Sequence, residues 1–245
     1  MEGPVTTQAR WIKRETWTSV RVEGGICTKR YVVEPWLRWR TIGRRSRARR
    51  EHDNLNALRR AGLPSLEALE WREERRFGLL LWSELATRWV GGARNLREWL
   101  RAPSGDPVRL ARNLGETLAA LHEAGFCWNT ASPRNWLLRR EEGGGFRLWV
   151  CDPVALVRWP GSVRGKRPGF VDLYNLALSP PRRREMSRAF RFRICLAYCG
   201  GDSPAARRIY RKLSAWPRFL FRLHKGSLLC LRPLLLSGPD GGRGA

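Results

Sequence analysis

The chain has 245 residues, 42% of them apolar and 13 of them Trp, ample material for a packed core and unlike a disordered or fibrous protein. Lys and Arg outnumber Asp and Glu by 47 to 22, giving a formal charge of +25, so the partners to expect are phosphate-rich: nucleotide, nucleic acid or an anionic membrane surface. Charge alone does not choose among them, because the basic set is almost all Arg, a skew that a GC-rich genome also produces. Six Cys, at 27, 127, 151, 195, 199 and 230, form no C-x-x-C pair and have no nearby His cluster, so free thiols are expected rather than a zinc site. The first residues, MEGPVTTQARWIKRE, carry no apolar leader segment, and no stretch approaches the roughly 20 apolar residues needed to cross a bilayer. The expected location is the cytoplasm.

In chain order, WTSVRVEGGICTKRYVV (17–33) alternates apolar and polar residues around Gly24 and Gly25, which predicts a hairpin with Lys29 in its second strand. Seven of the thirteen residues from Arg38 to Arg50 are Arg. They lead into ARREHDNLNALRRAGLP, where Leu55, Leu58 and Ala61 keep helical spacing and Gly62 and Pro64 stop the helix, with Glu51 in its first half. Two more strands are expected in LEALEWREERRFGLLLWSEL, the second on the apolar run from Gly78 to Trp82. From Asn95 helices take over, in NLREWL and VRLARNLGETLAALHEAG. After the Gly143–Gly145 turn, the strand FRLWVCDP delivers Asp152 just past its end. A basic loop from Arg158 to Pro168, the segment GFVDLYNLALS, and helical stretches to Tyr198 and again from Pro204 to about Leu223 complete the sequence, and the tail SGPDGGRGA is expected to be disordered.

The stretch LHEAGFCWNTASPRNWLL (121–138) resembles the catalytic loop of a protein kinase: a helix end with Leu-His, a Gly turn, a short polar loop, an Asn and an apolar strand. In the usual His-x-Asp-x-x-x-x-Asn pattern, Asp orients the substrate hydroxyl and Asn holds a magnesium ion. Asn135 is in place. Thr130 stands at the Asp position and Trp128 at the His position. A Thr hydroxyl has no useful basicity at neutral pH. Loss of that assistance costs about 10²–10⁴-fold, while charge neutralisation and positioning of the phosphates survive.

Around this loop stand the other groups that phosphoryl transfer needs, in the order it needs them. A Lys on a strand neutralises nucleotide phosphates, and a Glu on the next helix holds that Lys in an ion pair; Lys29 and Glu51 suit these roles. Asn135 and Asp152 supply oxygen ligands for magnesium. The Gly24–Gly25 turn offers backbone amides to phosphates, although the full Gly-rich pattern is absent.

These segments together resemble the bacterial lipopolysaccharide kinase family, the sugar kinases that act on heptose or Kdo of the inner core. The resemblance spans roughly 20–200 and rests on TKRY with Lys29, ARRE followed by LRRAGLP, LHEAGF, SPRNWLL, the strand-borne Asp152, and VDLYNLALS with Asp172. It implies an α+β, two-lobed protein-kinase-like fold, with a β-rich lobe containing one helix over 1–86, a mostly helical lobe over 87–236, and a disordered tail over 237–245. It also implies ATP and Mg2+ as cofactors and phosphoryl transfer to a sugar hydroxyl of an anionic glycolipid such as lipopolysaccharide, at the inner-membrane surface. Asp172 is the fold-supporting aspartate of a helix in this scheme, expected to bond loop backbone amides. Departures from the pattern are Thr130, Trp128 and the Pro-Val pair after Asp152, so the expected activity is impaired.

Other readings stand beside this one. A non-catalytic pseudokinase scaffold at the inner membrane accounts equally for Thr130. A basic nucleic-acid-binding protein accounts for charge and Trp content, but no recognised nucleic-acid module is present. His122 suits a packed helix end, and Trp128 suits a core plug where the loop His is missing. The Arg38–Arg50 run is either a solvated face or a dock for glycolipid phosphates. The stretch from Ala206 to Leu236 interleaves Arg and Lys with Trp, Phe and Leu, suiting either a membrane interface or a last helix on the core, with Pro217 and Pro233 interrupting it.

Overall fold

The computed structural model describes residues 9–215. Its strands and helices are β1 (Arg10–Arg14), β2 (Thr18–Glu23), β3 (Ile26–Val32), α1 (Arg47–Arg60), β4 (Ala68–Arg76), β5 (Leu79–Arg88), β6 (Arg94–Asn95), α2 (Leu96–Arg101), α3 (Pro107–Glu123) and β7 (Phe126–Cys127). There follow β8 (Trp136–Arg140), β9 (Phe146–Val150), β10 (Val157–Arg158), α4 (Arg167–Leu173), α5 (Pro180–Glu185), α6 (Arg188–Tyr198) and α7 (Ser203–Ser214). A 3₁₀ turn covers Pro35–Thr41, another covers Pro133–Asn135, and a π-helical turn follows α4 over Tyr174–Leu178. The disordered-tail expectation, and the part of the basic C-terminal stretch beyond residue 215, lie outside the described residues.

The chain divides into two compact units, Met1–Asp106 with Pro133–Val154, and Pro107–Ser132 with Ala155–Ala245. In the first, an antiparallel sheet runs in the order β1-β2-β3-β5-β4. The turn between β2 and β3 is two residues long, Gly24 and Gly25, both with positive φ (55° and 76°), so Glu23 faces Ile26 directly. Two left-handed residues in succession match the right-handed twist of the flanking strands, and glycine adopts that conformation without a Cβ clash.

Helix α1 lies against this sheet. Ser46 caps it by accepting a hydrogen bond from the Arg49 amide, and Gly62, at φ 70°, follows its end. Its buried positions are Ala48, Glu51, Leu55 and Leu58, at the 3-4-3 spacing of one helical face. Three of them are apolar, and Ala48 and Leu55 pack with Tyr31, Leu85, Leu66, Ala68 and Trp71. The fourth is a carboxylate, placed where a core residue would be expected. A smaller sheet, β6-β8-β9, completes the unit, joined at Val150 by the amide donation to the Pro64 carbonyl (3.0 Å).

In the second unit, α3 buries Leu110, Ala111, Leu114, Gly115, Leu118, Ala119, Leu121 and His122, and α6 packs on it. The approach is closest at Gly115, where an added Cβ would sit 2.4 Å from the Ile194 carbonyl oxygen. The short strands β7 and β10 pair Phe126 with Arg158 and Cys127 with Val157. Among the described residues, no helix is long and apolar enough to cross a membrane.

Two features differ from the expectations. Strand β1 was not anticipated, since RWIKR is exposed at every position and carries no alternation to read. The Arg-rich segment begins with the 3₁₀ turn at Pro35–Thr41 instead of running straight into α1.

Candidate active site

Lys29 and Tyr31 stand two residues apart on β3, so their side chains leave the same face of the strand. Glu51, on the inward face of α1, meets both. The Lys29 Nζ lies 3.3 Å from Glu51 Oε1 and 3.5 Å from Oε2, and the Tyr31 hydroxyl donates to Glu51 Oε2 at 2.6 Å. A buried carboxylate survives only when its charge is compensated and its lone pairs are used, and here one cation and one hydroxyl do both.

The third partner of Lys29 is Asp152, whose Oδ1 lies 3.1 Å from Nζ. Asp152 follows β9 with φ 56°, a left-handed conformation that Asp tolerates better than most residues, and this turns the chain after the strand. Burial works against the charge of Lys29, but Glu51, Tyr31 and Asp152 outweigh it and hold the ammonium pKa above its ordinary value. Burial likewise works against the Asp152 carboxylate, and the Lys29 and Arg47 cations outweigh it, keeping its pKa below the usual range. Burial, and then the Glu51 charge, push the Tyr31 phenol well upward, so it remains a donor.

Arg47, in the first turn of α1, closes the cluster. Its Nη2 lies 3.1 Å from Asp152 Oδ1 and 3.3 Å from Oδ2, and its guanidinium lies over the Tyr31 ring, 4.4 Å from the centroid. Asn135 reaches the same neighbourhood through the backbone: its carbonyl accepts from the Cys151 amide and thiol, both at 3.0 Å, one residue before Asp152. Burial pushes the Cys151 and Cys27 thiols up, so neither is a reactive thiolate.

In the second unit the loop after α3 is shaped from beneath. Asp172, fully buried on α4, accepts from the Trp128 amide at 2.6 Å, and its Oδ2 lies 3.3 Å from His122 Nε2. A carboxylate oxygen only accepts, so Nε2 carries the hydrogen. His122 Nδ1 in turn lies 2.9 Å from the Tyr198 hydroxyl. Asn129, at φ 62°, donates to the Ala155 carbonyl (3.0 Å), and its own carbonyl accepts from Asn175 Nδ2 (3.3 Å). Thr130 is half-buried, and its hydroxyl donates back to the Trp128 carbonyl (3.5 Å). Trp128 is buried completely.

The structure thus brings Lys29, Glu51 and Asp152 into contact and ties Asn135 to the residue beside Asp152. It sets Gly24 and Gly25 at a hairpin tip and holds Thr130 within the second unit. Tyr31 and Arg47 were not singled out from the sequence. Tyr31 was legible as the residue sharing a strand face with Lys29, whereas nothing distinguished Arg47 from the six other Arg around it.

The Asp152 carboxylate and the Asn135 carboxamide are hard oxygen donors of the kind magnesium takes alongside phosphate oxygens. Among the described residues, no group of three or more His, Cys, Asp or Glu could hold a metal ion. By donor chemistry alone the two residue types suit magnesium, and in this structure Arg47 lies on both oxygens of Asp152.

A family model described as the lipopolysaccharide kinase (Kdo/WaaP) family matches residues 27–158, just over half of the chain. No curated protein matches. Among solved structures, one described as WaaP in complex with acyl carrier protein matches with a TM-score of 0.60 at 17% identity, covering 91% of this chain and 89% of that one. At that identity the likeness speaks for the fold, which is α+β and kinase-like.

Proposed function

The chain belongs to the Kdo/WaaP lipopolysaccharide kinase family, and we propose that it binds ATP through Lys29 and transfers its terminal phosphoryl group weakly to a sugar hydroxyl of an anionic glycolipid. The observation that carries this reading is the sharing of one ammonium between Glu51 and Asp152. A Lys held this way cannot swing to solvent, and its fixed charge suits the phosphates of a nucleotide. Glu51 and the Tyr31 hydroxyl orient it from behind. Asp152 and Asn135 would hold magnesium, which would supply charge neutralisation to the phosphates. The Gly24–Gly25 turn offers amides to the same phosphates. Thr130 lines the acceptor side of the loop without accepting a proton, which is why transfer is slow.

The cofactors in this reading are ATP and Mg2+, and the acceptor is lipopolysaccharide or a related glycolipid reached from the inner-membrane surface. Likeness to WaaP solved with acyl carrier protein makes such a carrier a protein partner to test.

One observation favours a second reading, a nucleotide-binding scaffold without turnover: Arg47 lies across both oxygens of the carboxylate that would hold the metal, in a chain that also lacks the loop acid. Thermal-shift titration with ATP, with and without magnesium, tests what the two readings share. Protection of the native chain, abolished in Lys29→Ala, is expected; a chain that ATP fails to stabilise under either condition removes both.

A further inference from the structure

In a 3₁₀ turn, side chains three residues apart eclipse one another. The turn Pro35–Thr41 and the residue after it therefore align Trp36, Trp39 and Ile42 on one face, and all three are exposed, at 64%, 66% and 60%. Phe77, at the tip of the β4–β5 hairpin, is 89% exposed. Arg75 fixes the two segments together: its guanidinium donates to the Thr41, Arg44 and Gly78 carbonyls at 3.3, 2.7 and 3.1 Å. The Leu80 amide also donates to the Thr41 hydroxyl at 2.9 Å. Three large apolar side chains in a row, beside a fourth on an adjoining tip, form a patch that a soluble surface ordinarily avoids.

Along the turn and up to the start of α1 the charge is basic, while the nearby Glu73 is paired with Arg75 at 2.8 Å. Residues 35–46 hold four Arg and no Asp or Glu. The Arg40 guanidinium lies over the Trp39 ring, 5.6 Å from its centroid, and that of Arg76 over Phe77 at 5.5 Å, so cationic groups stand among the exposed rings. Arg45 has one neighbour of opposite charge, Asp53 at 3.4 Å. The pairing of β3 with β5 puts this patch at the end of the five-stranded sheet opposite the Gly24–Gly25 turn, so it belongs to a different surface from the phosphate groups discussed above.

We infer that the Trp36–Trp39–Ile42 ridge, with Phe77, inserts into the interfacial layer of an anionic phospholipid bilayer, with Arg38, Arg40, Arg44 and Arg76 on the headgroup phosphates. Indole rings favour that layer because one end is apolar and the other carries an N–H, and Arg gains there from the negative surface potential. A dry protein groove would offer these arginines no counter-charge, whereas lipid phosphates do. This deepens the glycolipid reading, since it rests on an acceptor held at a membrane, and it names the surface that would bring the chain there.

The test is co-sedimentation of the full chain with phosphatidylcholine vesicles, with and without phosphatidylglycerol. Binding that requires phosphatidylglycerol is expected. Trp36→Ser/Trp39→Ser/Phe77→Ser should weaken it by about tenfold or more, and Arg40→Gln/Arg44→Gln by roughly fivefold per charge. Melting temperature and ATP protection, measured on the same variants, should be unchanged because these side chains are exposed and away from Lys29. A native chain that ignores anionic vesicles, or a Trp/Phe variant that binds them as well as the native chain, overturns the inference. So does a native dimer that the Trp/Phe variant converts to monomer without any vesicle binding, since the ridge is then a self-association surface. Persistent ATP protection in any of these cases leaves the kinase-type reading standing.

Discussion

Arg47 and Asp152 come from the two separate segments of the first unit, 105 residues apart, and meet with one guanidinium nitrogen 3.1 and 3.3 Å from the two carboxylate oxygens. The contact is made where α1 begins, with the guanidinium resting on Tyr31. Any divalent cation must compete with it for Asp152. Replacing Arg47 by Ala should therefore raise the magnesium dependence of ATP protection by about 1 kcal/mol, roughly fivefold in affinity, a discounted value for one charge-assisted contact in a half-exposed setting. Binding of ATP without metal should fall in the same variant, because a fixed cation is lost. Isothermal titration with and without magnesium reads both changes, and a parallel fall under both conditions would show Arg47 to be a phosphate ligand only.

Lys29→Met leaves Glu51 in the interior with a hydroxyl and no cation. Breaking a buried pair on one side costs about 3–5 kcal/mol, and since Lys29 keeps some exposure the expected loss is nearer 2–3. The double variant Lys29→Met/Glu51→Leu should recover most of it while still failing to bind ATP. Chemical denaturation of the single and double variants measures this, and equal instability of the two would show that Glu51 tolerates burial alone.

Thr130→Asp restores a carboxylate to the loop. Because Asp172 holds the loop through the Trp128 amide, the new side chain enters a formed backbone, and ATP turnover in the presence of magnesium and glycolipid should rise by about 10²-fold or more. Failure to rise, with ATP still bound, favours the scaffold reading.

Gly115→Ala would gain about 1 kcal/mol from helix propensity in an open helix. Here its Cβ meets the Ile194 carbonyl at 2.4 Å and the Ala197 side chain at 2.7 Å, so α6 must move away from α3. A net loss of about 2 kcal/mol is expected in a denaturation curve, and a stabilised variant would contradict the close approach.

Burial pushes the Tyr198 phenol above its ordinary value of 10.0, a shift that the nearby Asp172 charge reinforces and that the Gly165 amide and Arg164 partly oppose. A raised folded-state pKa means that the contribution is complete below pH 10 and is lost as pH climbs through the folded value, because the unfolded chain ionises first. Tyr198→Phe should therefore be less stable than the native chain at neutral pH, having lost the bond to His122, and the difference should shrink above pH 10. Melting temperatures across that range read the sign.

How much of this was legible depended on whether a residue's partner lay nearby in sequence. Helix α1 could be read from Leu55, Leu58 and the Gly62 stop, and Glu51 from its register on that helix. Lys29, Asn135 and Asp152 were read from their order along the chain through the resemblance to the kinase pattern, and the structure brings Lys29 and Asp152 into contact and ties Asn135 to Cys151 through its backbone. The spacing of 105 residues hid Arg47, since seven similar arginines give a reader no means to select one. The Trp ridge was invisible for another reason. Trp36, Trp39 and Ile42 at intervals of three read as a poor α-helical stripe, and only the tighter 3₁₀ turn puts them in line. Strand β1 is held by pairing with β2 alone and leaves no burial pattern to detect.

The chain of contacts from Tyr198 through His122 and Asp172 to the Trp128 amide gives the loop its shape without using residue 130. Residue 130 adds to that frame its hydroxyl's contact with the Trp128 carbonyl (3.5 Å) and a carbonyl that accepts from the Ser132 amide. The backbone at Thr130 is thus set mainly from residues up to 68 positions downstream, so a change of side chain there bears first on what the loop can do and only second on how it is held.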